Sequence, residues 1–287
     1  MKNIKYFFQF LIIILLFVLF KTLGLKLSSK ISSGIMFYFG PLFRSNQIAD
    51  NNIKKALPNS SHYERKKILK NMWFNYGKIF SEYMFIEKFR NSRKFSKKIF
   101  IKNHETLEKI KKNNEPVIFI SGHFNNFELM AMCLDKSGID LAAVYRPLNN
   151  KFLNPIMENI RKRYICKNQI KKGISGTKEL LKKFKKKTSI ALMIDQRVSQ
   201  GINSILFKEH ALTTTIPAQF VKKYKAKIIP VYIERTRENN FNVEIYDPLI
   251  FNKDDSIENI TTNLNQLLEK MILRNPDQWI WTHNRWK

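Results

Sequence analysis

The apolar run Val117-Ile118-Phe119-Ile120, placed directly after Pro116 and leading into Ser121-Gly122-His123-Phe124-Asn125-Asn126-Phe127-Glu128, restricts the folds open to this chain more than any other feature. Four apolar residues without alternation fit a strand buried on both faces, as in a largely parallel sheet covered by helices. From Asn126 onwards, Phe127, Leu129, Met130, Met132, Cys133 and Leu134 suit an apolar-rich helix that closes near Gly138. His123 is therefore expected at the C-terminal end of a buried strand, with Glu128 in the first turn of the next helix. Residues five apart do not share a helical face, but a turn can fold Glu128 back towards His123. A carboxylate beside an imidazole fixes its tautomer and stabilises the imidazolium, which is what a general base acting on an alcohol needs. The competing local reading makes Asn125-x-x-Glu128 a capping box and His123 a strand end. Local sequence alone leaves both open.

The rest of the chain supports an α/β class, with a mixed sheet flanked by helices. Further strands are expected at Ile99 to Ile101, Leu141 to Tyr145, Ser189 to Ile194, Ile228 to Glu234 and Asn242 to Tyr246. Helices are expected at Asp50 to Leu57, Tyr63 to Phe89, Lys151 to Ile165, Lys178 to Lys185 and Ala218 to Tyr224, the second with an apolar stripe that reads as core packing. The expected organisation is a membrane-anchor or interfacial helical segment over residues 1–45, then a helical lead-in and catalytic domain over residues 46–287.

Polar clusters recur where these strands end, which is where open α/β sheets place their ligand crevices. Arg146 precedes Pro147 and can clamp a phosphate or steady developing negative charge, or form a surface ion pair. Asp195-Gln196-Arg197 follows the Ser189 to Ile194 run; a buried salt bridge would leave the same trace. Thr213 to Pro217 reads as a hydroxyl N-cap with a following proline. No carboxylates or histidines stand at ligand spacing around Asp195, so no metal site is expected. Cys133 and Cys166 also lack metal spacing and suit a reduced, cytosolic body.

Charge and the N-terminus narrow the partners. The 287-residue chain has 51 Lys and Arg against 23 Asp and Glu, a formal charge of +28 and a pI near 10.0. Such a field favours anionic partners: nucleic acid, an anionic membrane surface, phosphorylated substrates or an acidic carrier protein. Lysine supplies most of it, with Arg at only 12 of the 51, so part of the excess is a compositional drift rather than a binding surface. Tyr6 to Phe20 is an apolar run with Gln9 as its one strongly polar residue, and hydrophobic character resumes beyond Lys21. It reads as an uncleaved membrane anchor, since Thr22 to Lys26 has no small-x-small cleavage site.

The ordered set of blocks resembles the late acyltransferases of lipid A biosynthesis, within the lysophospholipid acyltransferase superfamily. Ser121 to Glu128 is similar to that family's His-x4-Glu block, Val144-Tyr145-Arg146-Pro147 with Asn154-Pro155 to its second, and Asp195-Gln196 to its third. Phe207, Thr213 to Pro217, and Gln278-Trp279-Ile280-Trp281 through Arg285-Trp286-Lys287 continue the resemblance to the C-terminus. It implies transfer of a fatty acyl group from acyl carrier protein, or less often coenzyme A, to a hydroxyl of a hydroxyacyl chain on a phosphorylated lipid A precursor. His123 would be the general base and Glu128 its orienter, with backbone N–H groups near the turn stabilising the oxyanion. Arg146, Asn126, Asp195 and Gln196 would line the substrate site. No cofactor is implied beyond the acyl co-substrate. The implied location is the inner membrane, with the catalytic domain facing the cytoplasm, and the implied partners are acyl carrier protein, the anionic membrane and no nucleic acid.

Two departures and two rivals remain. Asn125 stands where the family often has Gly, tolerable if the turn needs positive φ. Lys208-Glu209 stands where it often has Gly-Arg. A glycerophospholipid acyltransferase would share the His-x4-acid chemistry, but Glu128 and the Trp-rich C-terminus argue against it. A basic, membrane-anchored nucleic-acid-binding protein is the rival outside enzymes, and no nucleic-acid motif supports it.

Overall fold

The computed structural model describes residues 2–287. The chain begins with one long helix, α1 (Lys2–Phe43), bent at Gly24, where φ is 75° and ψ 166°. That backbone conformation lies outside the helical region and suits a residue without Cβ. Before the bend, Ile4, Phe8, Leu11, Leu15 and Val18 form an exposed apolar stripe at helical spacing, while Phe17 and Phe20 turn inward. By length and composition α1 can cross a membrane. The lead-in follows as α2 (Asn46–Ala56) and α3 (His62–Glu82), the latter opened by a capping box between Ser61 and Glu64.

The single helix expected to Phe89 is instead broken. A 3-10 turn at Tyr83–Phe85 separates α3 from α4 (Ile86–Asn91) and α5 (Arg93–Ser96). The break aims Glu82 and Tyr83 inward, where each meets an arginine described below.

The body alternates β1 (Ile99–Lys102), α6 (His104–Asn113), β2 (Ile118–Ser121), α7 (Phe127–Lys136), β3 (Leu141–Tyr145), α8 (Asn154–Tyr164), β4 (Asn168–Lys171), α9 (Ile174–Lys185) and β5 (Ser189–Met193). It continues with β6 (Ile202–Leu206), β7 (Glu209–Thr213), α10 (Ile216–Tyr224), β8 (Ile228–Arg235), β9 (Phe241–Ile245) and α11 (Ile257–Arg274). Seven strands make a mixed sheet in the order β1-β9-β8-β2-β5-β3-β4, parallel except for the β8–β9 pair. As its continuous apolar run predicts, β2 lies buried along its whole length inside this sheet. The β6–β7 hairpin stands apart and is held to α11 by Asn265, which donates to Ser204, Ile205 and Thr213.

α1 is seated on the body in two places. Before the bend, Phe17 and Phe20 pack with Phe80 of α3 and with Leu153 and Met157 at the start of α8. After it, buried Ser32 and Ser33 press against Gly77 of α3, and the Ser33 hydroxyl donates to the Phe74 carbonyl at 2.9 Å. A Cβ at Gly77 would collide with the Ser32 carbonyl and the Ser33 Cα, both backbone atoms that cannot swing aside. Gly77→Ala should therefore destabilise the detergent-solubilised protein by about 1–3 kcal/mol, the usual cost of overpacking. A thermal melt reads this as a lower Tm, whereas Gly34→Ala, with nothing within 4 Å of the added carbon, should not lower it.

Candidate active site

His123 follows β2 by two residues and Asp195 follows β5 by two. The two strands are parallel neighbours with Ser121 opposite Met193, and the ladder continues as Ile194 N–H donates to the Ser121 carbonyl at 2.9 Å. Register alone therefore delivers the two side chains to the same level. His123 Nδ1 lies 2.7 Å from Asp195 Oδ1, and the His123 backbone N–H donates to Asp195 Oδ2 at 2.7 Å. Trp279 Nε1 donates to the same Oδ2 at 2.8 Å. Burial by itself would raise the Asp195 carboxyl; the charge of His123 and these donors outweigh it and hold the group below its ordinary value. An ionised Asp195 keeps the proton on His123 Nδ1 and leaves Nε2 as the basic nitrogen. The His123 ring is part-exposed, edge-on to Phe127, and Gln196 Nε2 lies 3.4 Å from its Nε2.

The expected pairing of Glu128 with His123 is not what the fold makes. Glu128, almost fully buried in the first turn of α7, accepts from Arg161 Nε at 2.8 Å, from Arg161 Nη2 at 2.6 Å and from the Tyr83 hydroxyl. It shares no hydrogen bond or ion pair with His123 among the described residues. Burial works against the charge on Arg161, but Glu128 and Tyr83 more than offset it and raise its pKa. Burial and then the charge of Glu128 push the Tyr83 hydroxyl well above its ordinary value. Carboxylate and guanidinium thus neutralise one another and tie α7 to α8 and to the turn after α3.

The turn between them is fixed from behind. Asn125 adopts φ 40°, the left-handed conformation in which Asn substitutes for Gly. Its amide donates to Asn75 and Gln278, and its carbonyl oxygen accepts from the Asn126 N–H at 2.7 Å and from Arg235 at 3.1 Å. Arg235 pairs with Glu82 at 2.5 Å, both buried. The capping-box reading fails, because Asn126 is the N-cap and no side chain caps the helix. Asn126, placed by resemblance among substrate contacts, is fully buried and donates to Glu82 at 2.8 Å, so it belongs to this framework. The backbone N–H groups of His123, Phe124, Asn125 and Asn126 all have acceptors within the protein. Those four N–H groups are thus engaged, and Gln196 is a side-chain donor beside His123 Nε2. Arg146 is exposed at the rim after β3. The Thr213 to Pro217 segment departs from a simple hydroxyl cap: Thr215 is the N-cap by position, but its hydroxyl accepts from the Gln219 side chain.

Sequence reasoning missed Arg161, Tyr83, Trp279 and His283. Trp279 had a signal in the C-terminal Trp-rich block; Arg161 and Tyr83 had none beyond lying on predicted helices. His283 Nε2 accepts from the Arg197 backbone N–H at 3.0 Å and so braces the loop that carries Asp195 and Gln196.

With the geometry in hand, comparison with known proteins gives the class. A family model for bacterial lipid A biosynthesis acyltransferases matches residues 1–287, and the chain belongs to that family. It is 24% identical over 237 residues to lipid A biosynthesis acyltransferase 2 of Shigella flexneri, covering 80% of this chain and 74% of the relative. It is 22% identical to lipid A biosynthesis palmitoleoyltransferase of Escherichia coli K12, covering 86% and 80%. It is also 22% identical to the lipid A biosynthesis myristoyltransferase of the same organism, covering 80% and 71%. The chain is an acyltransferase, acting in the acylation of lipid A.

His283 makes the bracing of the loop pH-sensitive. Burial, reinforced by the charges of His123, Arg285 and Arg44 and only partly opposed by Asp195, lowers its pKa to about 4. An unfolded histidine takes a proton near pH 6.5. Between those values the unfolded chain binds a proton that the folded chain refuses, so stability rises with pH across the window. The contribution is whole above about pH 6.5 and is lost as pH falls towards 4. Thermal melts at stepped pH should show this loss in the wild type. They should show a smaller one in His283→Gln, whose amide oxygen can still accept from Arg197.

Proposed function

We propose that the protein transfers a fatty acyl group from acyl carrier protein, or from coenzyme A, to a hydroxyl of a hydroxyacyl chain on a lipid A precursor, with His123 as base and Asp195 as its orienter. The observation that carries this reading is the His123–Asp195 contact at 2.7 Å, which leaves Nε2, beside the Gln196 amide, as the basic nitrogen. Nε2 takes the proton of the acceptor hydroxyl as its oxygen attacks the thioester carbonyl. The tetrahedral oxyanion then collapses with loss of the C–S bond. The imidazolium returns the proton to the departing thiolate, giving an ester and a free thiol. The Gln196 amide, beside His123 Nε2, is assigned to the oxyanion, since the N–H groups of residues 123–126 are already engaged. Glu128 is assigned a positioning role, through Arg161 and Tyr83, on the first turn of α7.

The setting suits a lipid acceptor. The exposed stripe of α1 offers an apolar face to a bilayer, and the body's charge favours an anionic leaflet, phosphorylated lipid A and an acidic carrier. We assign α1 to the inner membrane with the catalytic domain on the cytoplasmic side, where basic flanks are retained. Exposed Arg146, after β3, is assigned to a phosphate or the acidic carrier.

The test is an in vitro assay with acyl-carrier-protein and coenzyme A donors of varied chain length and an under-acylated lipid A precursor, read by mass spectrometry. An acyloxyacyl product is expected; none from any pairing would overturn the reading. His123→Ala should abolish turnover in a folded protein. Asp195→Asn should lower kcat by roughly 10²–10⁴-fold, as expected when a base loses its tautomer and orientation. Gln196→Ala should cost roughly 10²-fold in kcat with little change in KM, as loss of an oxyanion donor does.

A further inference from the structure

A cavity of about 1170 Å³ lies apart from His123, Asp195 and Gln196, none of which lines it. It opens between α1 beyond the Gly24 bend, α3, the segment around α5, and the β8–β9 turn. Lys26, Lys30, Lys78, Lys94, Lys98 and Arg237 line it, and none of the six is in an ion pair among the described residues. Four carboxylates share the lining. Glu82 is spent on Arg235 and Glu234 faces Arg274, which leaves Glu238 and Asp277. The cavity is thus a concave, cationic surface short of counter-charge. Half-buried Lys78 shows the cost: burial, and then the charge of Arg235, lower its pKa, and among the described residues its ammonium has only the Asn239 side-chain oxygen, at 2.9 Å, as an acceptor. A bound anion would relieve both effects.

Position on α1 says where that anion comes from. The apolar run ends at Lys21, and Leu25, Lys26, Ser29 and Lys30 line the cavity within the next two to three turns. The first of them follows Lys21 by four residues and the Gly24 bend by one, so the cavity adjoins the end of the apolar segment, where the polar headgroups lie if that segment is inserted. We propose that this cavity is a binding site for the phosphate of an anionic phospholipid headgroup, distinct from the catalytic site. It rests on the reading of α1 as a membrane anchor. It backs onto the catalytic turn, because Asn75, Glu82, Arg235 and Gln278 both line it and hold Asn125 or Asn126. A headgroup seated there steadies the framework that sets the His123 turn.

Amine-reactive footprinting of the full chain, read by mass spectrometry, tests this lysine by lysine. The chain is reconstituted into phosphatidylcholine liposomes with and without phosphatidylglycerol, with a third arm of inorganic phosphate added to phosphatidylcholine liposomes. Phosphatidylglycerol should slow the labelling of Lys78 and Lys98 by about fivefold or more, the effect of one favourable basic–anionic lipid contact. Lys182 and Lys185 on α9, outside the cavity, should show a clearly smaller change. Equal labelling of Lys78 and Lys98 with and without phosphatidylglycerol, or a slowing no greater than that of the α9 lysines, overturns the proposal. Equal protection by inorganic phosphate alone overturns the lipid source and assigns the cavity to a soluble phosphate. Failure of the chain to float with liposomes of either composition is a separate result, and removes the anchor reading on which the proposal stands.

Discussion

The carboxylate of Asp195 is the point on which the site depends. It is fully buried, and it accepts from the His123 ring, the His123 backbone and the Trp279 indole at 2.7, 2.7 and 2.8 Å. One group thereby joins the end of β2, the end of β5 and the C-terminal block. In a dry setting such charge-assisted bonds are strong, and leaving the carboxylate without them would be costly. Neutralising Asp195 would release the tautomer of His123 and free three structural elements from one another together.

Around that centre two further carboxylate–arginine pairs hold the turn. Glu82 with Arg235 is buried and Glu128 with Arg161 nearly so, and each pins one side of the turn that follows β2. Removing one partner from a pair like these strands a buried charge and commonly costs about 3–5 kcal/mol. Between the pairs lies Asn125 at positive φ, with its amide fully engaged. The turn is therefore held by side chains on α3, α8, β8 and the C-terminal block, while Nε2 of the part-exposed His123 ring faces the Gln196 amide.

How much of this was legible in the residues depends on separation along the chain. The expected strands all formed, with bounds shifted by a residue or two, because continuous apolar runs identify buried strands directly. β4 was missed because Asn168-Gln169-Ile170-Lys171 carries one buried apolar side chain, and the β6–β7 hairpin because Phe207-Lys208, both at positive φ, replaces the usual Asn-Gly signal. The catalytic candidate His123 and the strand-end cluster Asp195-Gln196 were visible as local patterns. Their partnership was not: Asp195 stands 72 positions away and reaches His123 through the β2–β5 register, whereas Glu128 is near in sequence but turned by α7 towards Arg161. Proximity in sequence pointed to Glu128, whereas the sheet order brings Asp195 to the His123 ring. The family resemblance supplied the reaction class, which no pattern of burial or charge would have named.

The central claim is that Asp195, not Glu128, fixes the His123 tautomer. Nitrogen-15 NMR of the imidazole, in protein labelled at histidine, measures it most directly at a pH where the ring is neutral. The account predicts a His123 ring protonated at Nδ1, with a strongly hydrogen-bonded Nδ1–H proton that is lost in Asp195→Asn and kept in a folded Glu128→Gln. Loss of that signal in Glu128→Gln with its survival in Asp195→Asn would contradict it.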